Sequence, residues 1–313
     1  MSISKEIERL QKAKKDIGDA IVRKGGSVSG TIDTYAKSVM ALGDVSFRTA
    51  IDIVNKSDAK NVDLTMISPK NETSLDSLFF ASRKIINLDV SNWDTSNVTS
   101  MHFTFESMIN LKSVKCADWD VSNVTDFSAM FDDCNNLQTL DVSKWNTSSA
   151  TNMGFMFSGN KLETLDVSNF NTSKVTNMNN MFSDCWSLTH LDISNFDTSN
   201  VLKFDGVFAG WNHVCEELNI SGLNLERCIS INGTFLNSNF RVIRSEGLKL
   251  PNINMSTIGL HSSTALTVDS IVGLFNALPQ SDKGYSFQIG SDNIAKLSDE
   301  QKAIATNKGW TLI

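Results

Sequence analysis

Proline is almost missing: three residues in 313, about 1% against a usual ~5%. That excludes a proline-rich stalk, a collagen-like fibre and a polyproline linker. It suits a chain that uses nearly every backbone N–H in a ladder. Tyrosine is scarcer, two residues beside 18 phenylalanines and 11 methionines. Such aromatics serve burial, because a glycan-binding or antibody-like surface favours tyrosine. Cysteine occurs five times, an odd number without a CxxC pair, which argues against a disulfide framework or a zinc site. The histidines His102, His190, His213 and His261 show no HxH or HExxH spacing, so neither a metal nor a cofactor is expected. A G-x-S-x-G turn, a Walker loop and a Rossmann fingerprint are all lacking, and the expectation is a chain that is not an enzyme.

Positive charge is also in deficit. Twenty-eight basic side chains face 35 acidic ones, net −7, and phosphate binding needs a basic face, so nucleic acid is excluded as the main partner. No apolar run approaches the ~18 residues of a membrane span, so no membrane insertion is expected. The segment Met1-Ser-Ile-Ser-Lys-Glu-Ile-Glu-Arg9 has no apolar stretch and reads as no secretory signal. Yet 41% of the residues are hydrophobic, enough for a sizeable core.

What fills the chain is a repeat of about 26 residues. Its first positions are Val62, Leu88, Val114, Leu140, Leu165, Leu191, Leu218 and Ile243. Apolar columns recur two residues later (Val90, Val142, Ile193), five later (Trp93, Trp119, Trp145, Phe170, Phe196, Leu223), ten later (Val98, Val175), thirteen later (Met101, Met178) and seventeen later (Phe105 to Phe235). One such unit cannot close a core, but stacked units bury each other's columns. Leu-x-Val alternation marks a short strand, and successive strands would pair as one parallel sheet at ~4.8 Å spacing. The Met-Phe segment, such as Met181-Phe-Ser-Asp-Cys-Trp-Ser-Leu188, has helical or 3₁₀ spacing. Asp-Thr-Ser and Asn-Thr-Ser triplets mark turns whose side chains bond nearby N–H groups. Cys134 and Cys185 share a column two units apart, ~10 Å, too far for a disulfide. The tryptophan column invites a carbohydrate-platform reading. Phe170, Phe196 and Leu223 continue it, however, and leucine is no stacking platform, so core is the stronger reading.

The pattern Met-Phe-x-x-Cys-x-x-Leu-x-x-Leu-Asp-[Val/Ile]-Ser-x-[Trp/Phe]-[Asp/Asn]-Thr-Ser-x-Val-Thr-x-Met resembles the leucine-rich repeat of BspA-like bacterial surface proteins. The resemblance runs from about Val62 to Ile243 and implies a curved solenoid used for adhesion or recognition, with no catalytic residues. The fold expected is therefore an α/β repeat: a leucine-rich-repeat solenoid with parallel short strands (46–265), a helical N-terminal module (1–45) and a small α/β C-terminal cap (266–313).

In the N-terminal module Ile3, Ile7, Leu10, Ile17 and Ile21 form an apolar seam. It reads as an amphipathic helix packed on the next one, with a short coiled coil for attachment or homo-oligomerisation as the alternative. Ile7 to Ile21, followed by Gly30-Thr-Ile-Asp-Thr-Tyr-Ala36, is similar to N-terminal segments of bacteriophage and prophage tail-associated structural proteins. This implies docking to other virion proteins, and the missing secretion signal agrees. A virion component, made in the host cytoplasm, is the expectation; a bacterial cell-surface adhesin is the alternative. In the cap, Leu266–Leu278 reads as a helix with Thr267 as N-cap, Ser298 caps a second helix, and Trp310–Ile313 reads as a last strand.

Polar columns flank each strand. Asp89, Asp141, Asp166 and Asp192 follow the first position; Ser143, Ser168 and Ser194 stand two further on; Thr139, Thr164 and His190 precede it. Between Leu88 and Glu217 there are 17 acidic and 6 basic residues, net −11. Two readings stand: a solubilising face whose side chains bond turn amides, or a recognition face for a host surface protein or glycan, with bound cations as a variant.

Overall fold

The computed structural model describes residues 46–313. The seam Ile3, Ile7, Leu10, Ile17 and Ile21 lies outside the described residues.

The repeat does not start at residue 46. Phe47–Asn55 forms helix α1, with Ser46 as N-cap accepting from the Thr49 N–H at 3.3 Å. Ala50, Ile51 and Val54 are buried, the Phe47 ring meets Trp93 edge-on at 5.1 Å, and Asn55 donates to the Leu78 carbonyl. The helix thus covers the apolar columns that the first copy would otherwise leave open.

Strands β1 (Asn61–Asp63), β2 (Asn87–Asp89) and β3 (Ser113–Lys115) form a parallel sheet that pairs Val62 with Leu88 and Leu88 with Val114. That register is one sequence period per strand. Strands β4 (His190–Asp192), β5 (Val214–Asn219) and β6 (Asn239–Arg244) form a second sheet, pairing Leu191 with Leu218 and Leu218 with Ile243. The single sheet expected from the periodicity is therefore two. After a bridge from Ser113 to Thr139, the copies opening with Leu140 and Leu165 carry no strand, and both leucines are only partly buried. The separation from Leu140 to Leu165 is one residue short of the period, and the shortening lies in the approach to Leu165. There the buried Asn160 bonds its own turn, accepting from the Leu162 N–H and donating to the Phe157 carbonyl. Cross-copy bonds persist beside this turn: Lys161 donates its N–H to the Leu137 carbonyl, and the Asn160 carbonyl accepts from the Trp186 N–H.

A different ladder runs without a break. Parallel bridges link Ser74, Ser100, Asp126, Asn152, Asn177, Lys203 and Ser230, one residue per copy. It leads into the Met-Phe segments, which are not helical. Met101, Phe103, Phe105 and Ser107 donate their N–H groups to the carbonyls of Asp126, Ser128, Met130 and Asp132 in the next copy. The intervening Thr104, Glu106 and Met108 bond three residues back. Each segment is a run of tight turns, with left-handed residues four apart: Phe103 (φ 59) and Ser107 (φ 58), then Ala129 and Asp133, Phe155 and Gly159, Asn180 and Asp184, Gly206 and Gly210. A helix closes its bonds within itself, so it cannot share half of them with a neighbour. Met and Phe recur four apart because the turns do, and that spacing imitates a helix.

Between strand and turn segments lies the core. Phe79, Phe105, Phe131, Phe157, Phe182, Phe208 and Phe235 stack with ring centroids 5.1–6.3 Å apart. Trp93, Trp119 and Trp145 stack beside them, nearly parallel and at most 4% exposed. Each indole N–H donates to a carbonyl of the preceding copy: Leu64, Val90 and Cys116. The column is core, and its polar atoms are satisfied. The threonines of the Asp-Thr-Ser and Asn-Thr-Ser triplets do more than turn the chain. Thr95, Thr147, Thr172 and Thr198 are buried and donate to carbonyls of the following copy.

At the far end, α2 (Val268–Ala277) is capped by Thr267 and lies along β6: Thr267 donates its N–H to the Arg241 carbonyl, and the buried Ser270 hydroxyl accepts from the Ile243 N–H at 2.9 Å. An edge that would offer unpaired amides is thereby closed. Two further helices follow, α3 (Ser291–Ala295) and α4 (Asp299–Thr306), the latter with a capping box between Ser298 and Gln301. Strands β7 (Ser286–Phe287) and β8 (Thr311–Leu312) pair in parallel.

Candidate functional site

The polar columns beside the strands are brought together as a surface. Thr139, Thr164, His190, Asp141, Asp166, Asp192, Ser168 and Ser194 are exposed; Asp89 and Ser143 are half-buried. Asp141 and Asp166 belong to the copies without strands, so there the face rests on turns.

Each aspartate does the same local job. Its Oδ1 accepts from the N–H two residues on: Asp89 from Ser91, Asp141 from Ser143, Asp166 from Ser168 and Asp192 from Ser194, at 2.9–3.2 Å. These bonds hold the carboxyls of Asp141 and Asp166 below their ordinary range. At Asp192 and Asp89 partial burial pushes upward, and the bonds from Ser194 and Asn219, and from Lys115 and Ser91, outweigh it. The second oxygens differ. Asp89 meets Lys115 at 2.7 Å and Asp192 meets Asn219 at 3.1 Å, whereas those of the exposed Asp141 and Asp166 accept no hydrogen bond among the described residues. In each of these aspartates, then, one oxygen fixes a turn.

A second acidic group lies on the turn segments: Glu106, Asp132, Asp133 and Asp184. Burial, then Asp132 and Asp133, push the Glu106 carboxyl up. Burial drives Asp132 up to about 6 against a bond from Ser158, with Asp133 and Asp184 adding to the rise. One Glu106 oxygen is buried without a hydrogen-bond partner. Beside this group stand Phe80, 51% exposed, and Phe155, 42% exposed. Column arithmetic on buried positions passed over both. The available signal was a large aromatic at a position the periodic columns did not require.

Other chemistry is sparse among the described residues. No three His, Cys, Asp or Glu side chains converge as metal ligands, and no helix is long and apolar enough to cross a membrane. All five cysteines are free and buried, and burial pushes the Cys215 and Cys228 thiols up to about 12. An apolar cavity of about 20 Å³ lies among Phe204, Phe208, Leu223, Phe235 and Leu274, room for a water-sized body only.

Residues 73–163 and 138–242 match the family described as "Mycoplasma protein of unknown function, DUF285". Together the two matches run from 73 to 242, more than half of the 313 residues. The chain belongs to this family. The two DUF285 matches cover the uninterrupted turn ladder from Ser74 to Ser230 and leave α1, β1 and everything after β6 as flanks. Membership agrees with the BspA-like character of the repeat. The family's description assigns no activity, so no residue role is inherited from it. A search of curated proteins finds no match.

Proposed function

We propose that the stacked DUF285 copies form a leucine-rich-repeat-type solenoid whose work is recognition rather than catalysis. The observation that carries this reading is the register. In-register bridges on the turn side link Asp126, Asn152, Asn177 and Lys203, so the copies that carry Thr139, Thr164 and His190, and likewise Asp141, Asp166 and Asp192, follow one another in the stack, with all six side chains exposed. Repeat proteins use such extended surfaces to hold macromolecules. The partner class is a host surface protein or glycan with polar or cationic groups. The finer placement, a tail-associated virion component docked through residues 1–45, rests on the resemblance of that segment to phage tail proteins; a bacterial surface adhesin is the competing placement.

Replacing Asp141, Asp166 and Asp192 together with asparagine keeps the Oδ1 acceptors of the turns and removes three charges. Attachment of the purified chain to host cells should fall at least tenfold while the thermal midpoint hardly moves. Full attachment by the folded triple variant refutes the strand-side face. Immunogold labelling of purified particles tests the placement: label at the tail supports the virion reading, and label confined to cell envelopes refutes it.

A further inference from the structure

The turn segments carry a surface that the strand-side reading does not use. Phe80 and Phe155 are 51% and 42% exposed, and Phe103 stands between their copies with its ring 6.5 Å from that of Phe80. Phe103 and Phe155 occupy the same position of copies two apart, about 10 Å at strand spacing. Both hold positive φ, 59° and 61°, a conformation in which a bulky side chain is a genuine outlier. Equivalent positions hold Gly206 and Gly233 in other copies. The backbone here tolerates glycine, yet two copies carry phenylalanine, exposed at Phe155 and half-buried at Phe103.

Charge surrounds these rings. Glu106, Asp132 and Asp133 fall in the copies between Phe80 and Phe155. Some acids pair with bases of the adjacent copy, Asp89 with Lys115, Asp118 with Lys144 and Glu217 with Arg244, while others, such as Asp141 and Asp166, stand as single exposed carboxylates without exposed rings beside them. Glu106, Asp132 and Asp133 form no ion pair with Lys or Arg among the described residues; apart from His102 near Glu106, the charges acting on Glu106 and Asp132 are other carboxylates. Carboxylates that repel one another beside exposed rings make a surface with an unmet electrostatic demand.

We propose that this turn face, Phe80, Phe103 and Phe155 with Glu106, Asp132 and Asp133, docks an arginine-bearing segment of a partner protein. A guanidinium stacks on a phenyl face and forks to a carboxylate, so one side-chain type meets both features of the patch. A purely apolar partner would desolvate three carboxylates without compensation. A second copy of this chain, set face to face, would bring the same acids together.

The probe is a labelled 12-residue peptide of alternating arginine and leucine, read by fluorescence anisotropy on the full chain, with glutamate replacing arginine in the control. Three variants separate the faces: Asp133→Asn with Glu106→Gln, Phe155→Leu alone, and the strand-side triple Asp141→Asn, Asp166→Asn and Asp192→Asn. The first should weaken binding at least tenfold and Phe155→Leu at least threefold, with the triple within twofold of the parent. A photoreactive peptide should cross-link within residues 76–158 of the unmutated chain, a readout independent of how variants fold. Equal losses from both faces, or cross-links spread over the strand side, mean diffuse attraction to an acidic protein and overturn the proposal. So does absence of binding at 150 mM salt. Because the faces are altered separately, failure here leaves the strand-side reading standing, and the reverse.

Discussion

Thr147→Val is the sharpest test of how the copies are held together. Thr147 is fully buried, and its hydroxyl serves one residue of the next copy twice. It donates to the Asn171 carbonyl at 3.0 Å and accepts from the Asn171 N–H at 2.9 Å. Valine has nearly the same shape, so packing is kept and both bonds are lost. A buried polar group left without a partner costs about 1–3 kcal/mol. Asn171 is itself exposed, so water recovers part of that, and a loss of about 2 kcal/mol is expected for the pair. The internal comparison is Thr172→Val. Thr172 is also buried but only donates, to the Asp197 carbonyl at 3.0 Å, so about 1 kcal/mol is expected. Urea unfolding followed by the fluorescence of the buried tryptophans, with near-ultraviolet circular dichroism recorded in parallel, gives both numbers provided the two probes coincide. Equal costs for the two variants, or a cost below 0.5 kcal/mol for Thr147→Val, would refute the claim that these hydroxyls tie one copy to the next. Val121 occupies the same position in another copy and is buried, which makes Val121→Thr the reciprocal variant.

The turn-face acids give a pH signature. Burial holds the Asp132 carboxyl at about 6, above its unfolded value near 3.9, so the folded chain binds the extra proton between these limits. Its contribution to stability is complete below about pH 4 and lost as pH rises through 6; the thermal midpoint should fall over that window, and Asp132→Asn should flatten the fall. An unchanged slope in the variant would show that Asp132 is not the group responsible. At the cap, Ser270→Ala leaves the Ile243 N–H without its 2.9 Å acceptor. A loss of about 1–2 kcal/mol is expected, with faster hydrogen exchange at Ile243, and an unchanged exchange rate there contradicts the cap's edge-closing role. Gly309→Ala puts a Cβ 2.0 Å from the Ser281 carbonyl oxygen at φ 84°, whereas Gly284→Ala, at φ 62°, meets open space. The first should cost more than 2 kcal/mol and the second about 1 kcal/mol, measured as the difference between two denaturation midpoints; equal costs would mean that the close approach is relieved by movement.

Much of the fold was legible because burial repeats. A column that must face the interior in every copy can be read by subtraction, and the phenylalanine stack and the tryptophans of the core follow directly. The cap was legible for a different reason: Thr267 and Ser298 are capping side chains at the start of apolar helical faces. Three features escaped. The Met-Phe turns share a four-residue spacing with a helix, and backbone sign is invisible when the left-handed positions hold Ala129, Asp133 or Phe155 rather than glycine throughout. The missing strands at Leu140 and Leu165 leave no mark in the columns, because the same apolar residues recur there and an equally short interval, Leu218 to Ile243, does pair. The turn-face patch lay off the periodic columns, and periodic reasoning discards such positions as variable.

The two ladders explain how the stack tolerates irregular copies. On the strand side most paired copies contribute about three residues, and the pairing lapses at the copies opening with Leu140 and Leu165. On the turn side every second N–H from the methionine through the following six residues crosses to the next copy, in the second and third copies as Met101 to Asp126 and Phe127 to Asn152, and on to Phe204 and Ser230. Left-handed residues four apart are what make this possible: they turn alternate N–H groups out of the segment and toward the neighbour, where a helix would keep them inside. Register is held without a break by the turns from Ser74 to Ser230, and the strands add to it in the copies before Leu140 and after Leu165. The position of Phe103 and Phe155 is exposed at Phe155, half-buried at Phe103 and Asn180 and buried at Ala129 and Gly206, while the neighbours Phe105 and Phe157 stay in the core throughout. Residues as different as Phe103, Ala129, Asn180 and Gly206 share this left-handed conformation while the cross-copy N–H bonds continue through them. The turn face can vary from copy to copy in a way the buried columns cannot.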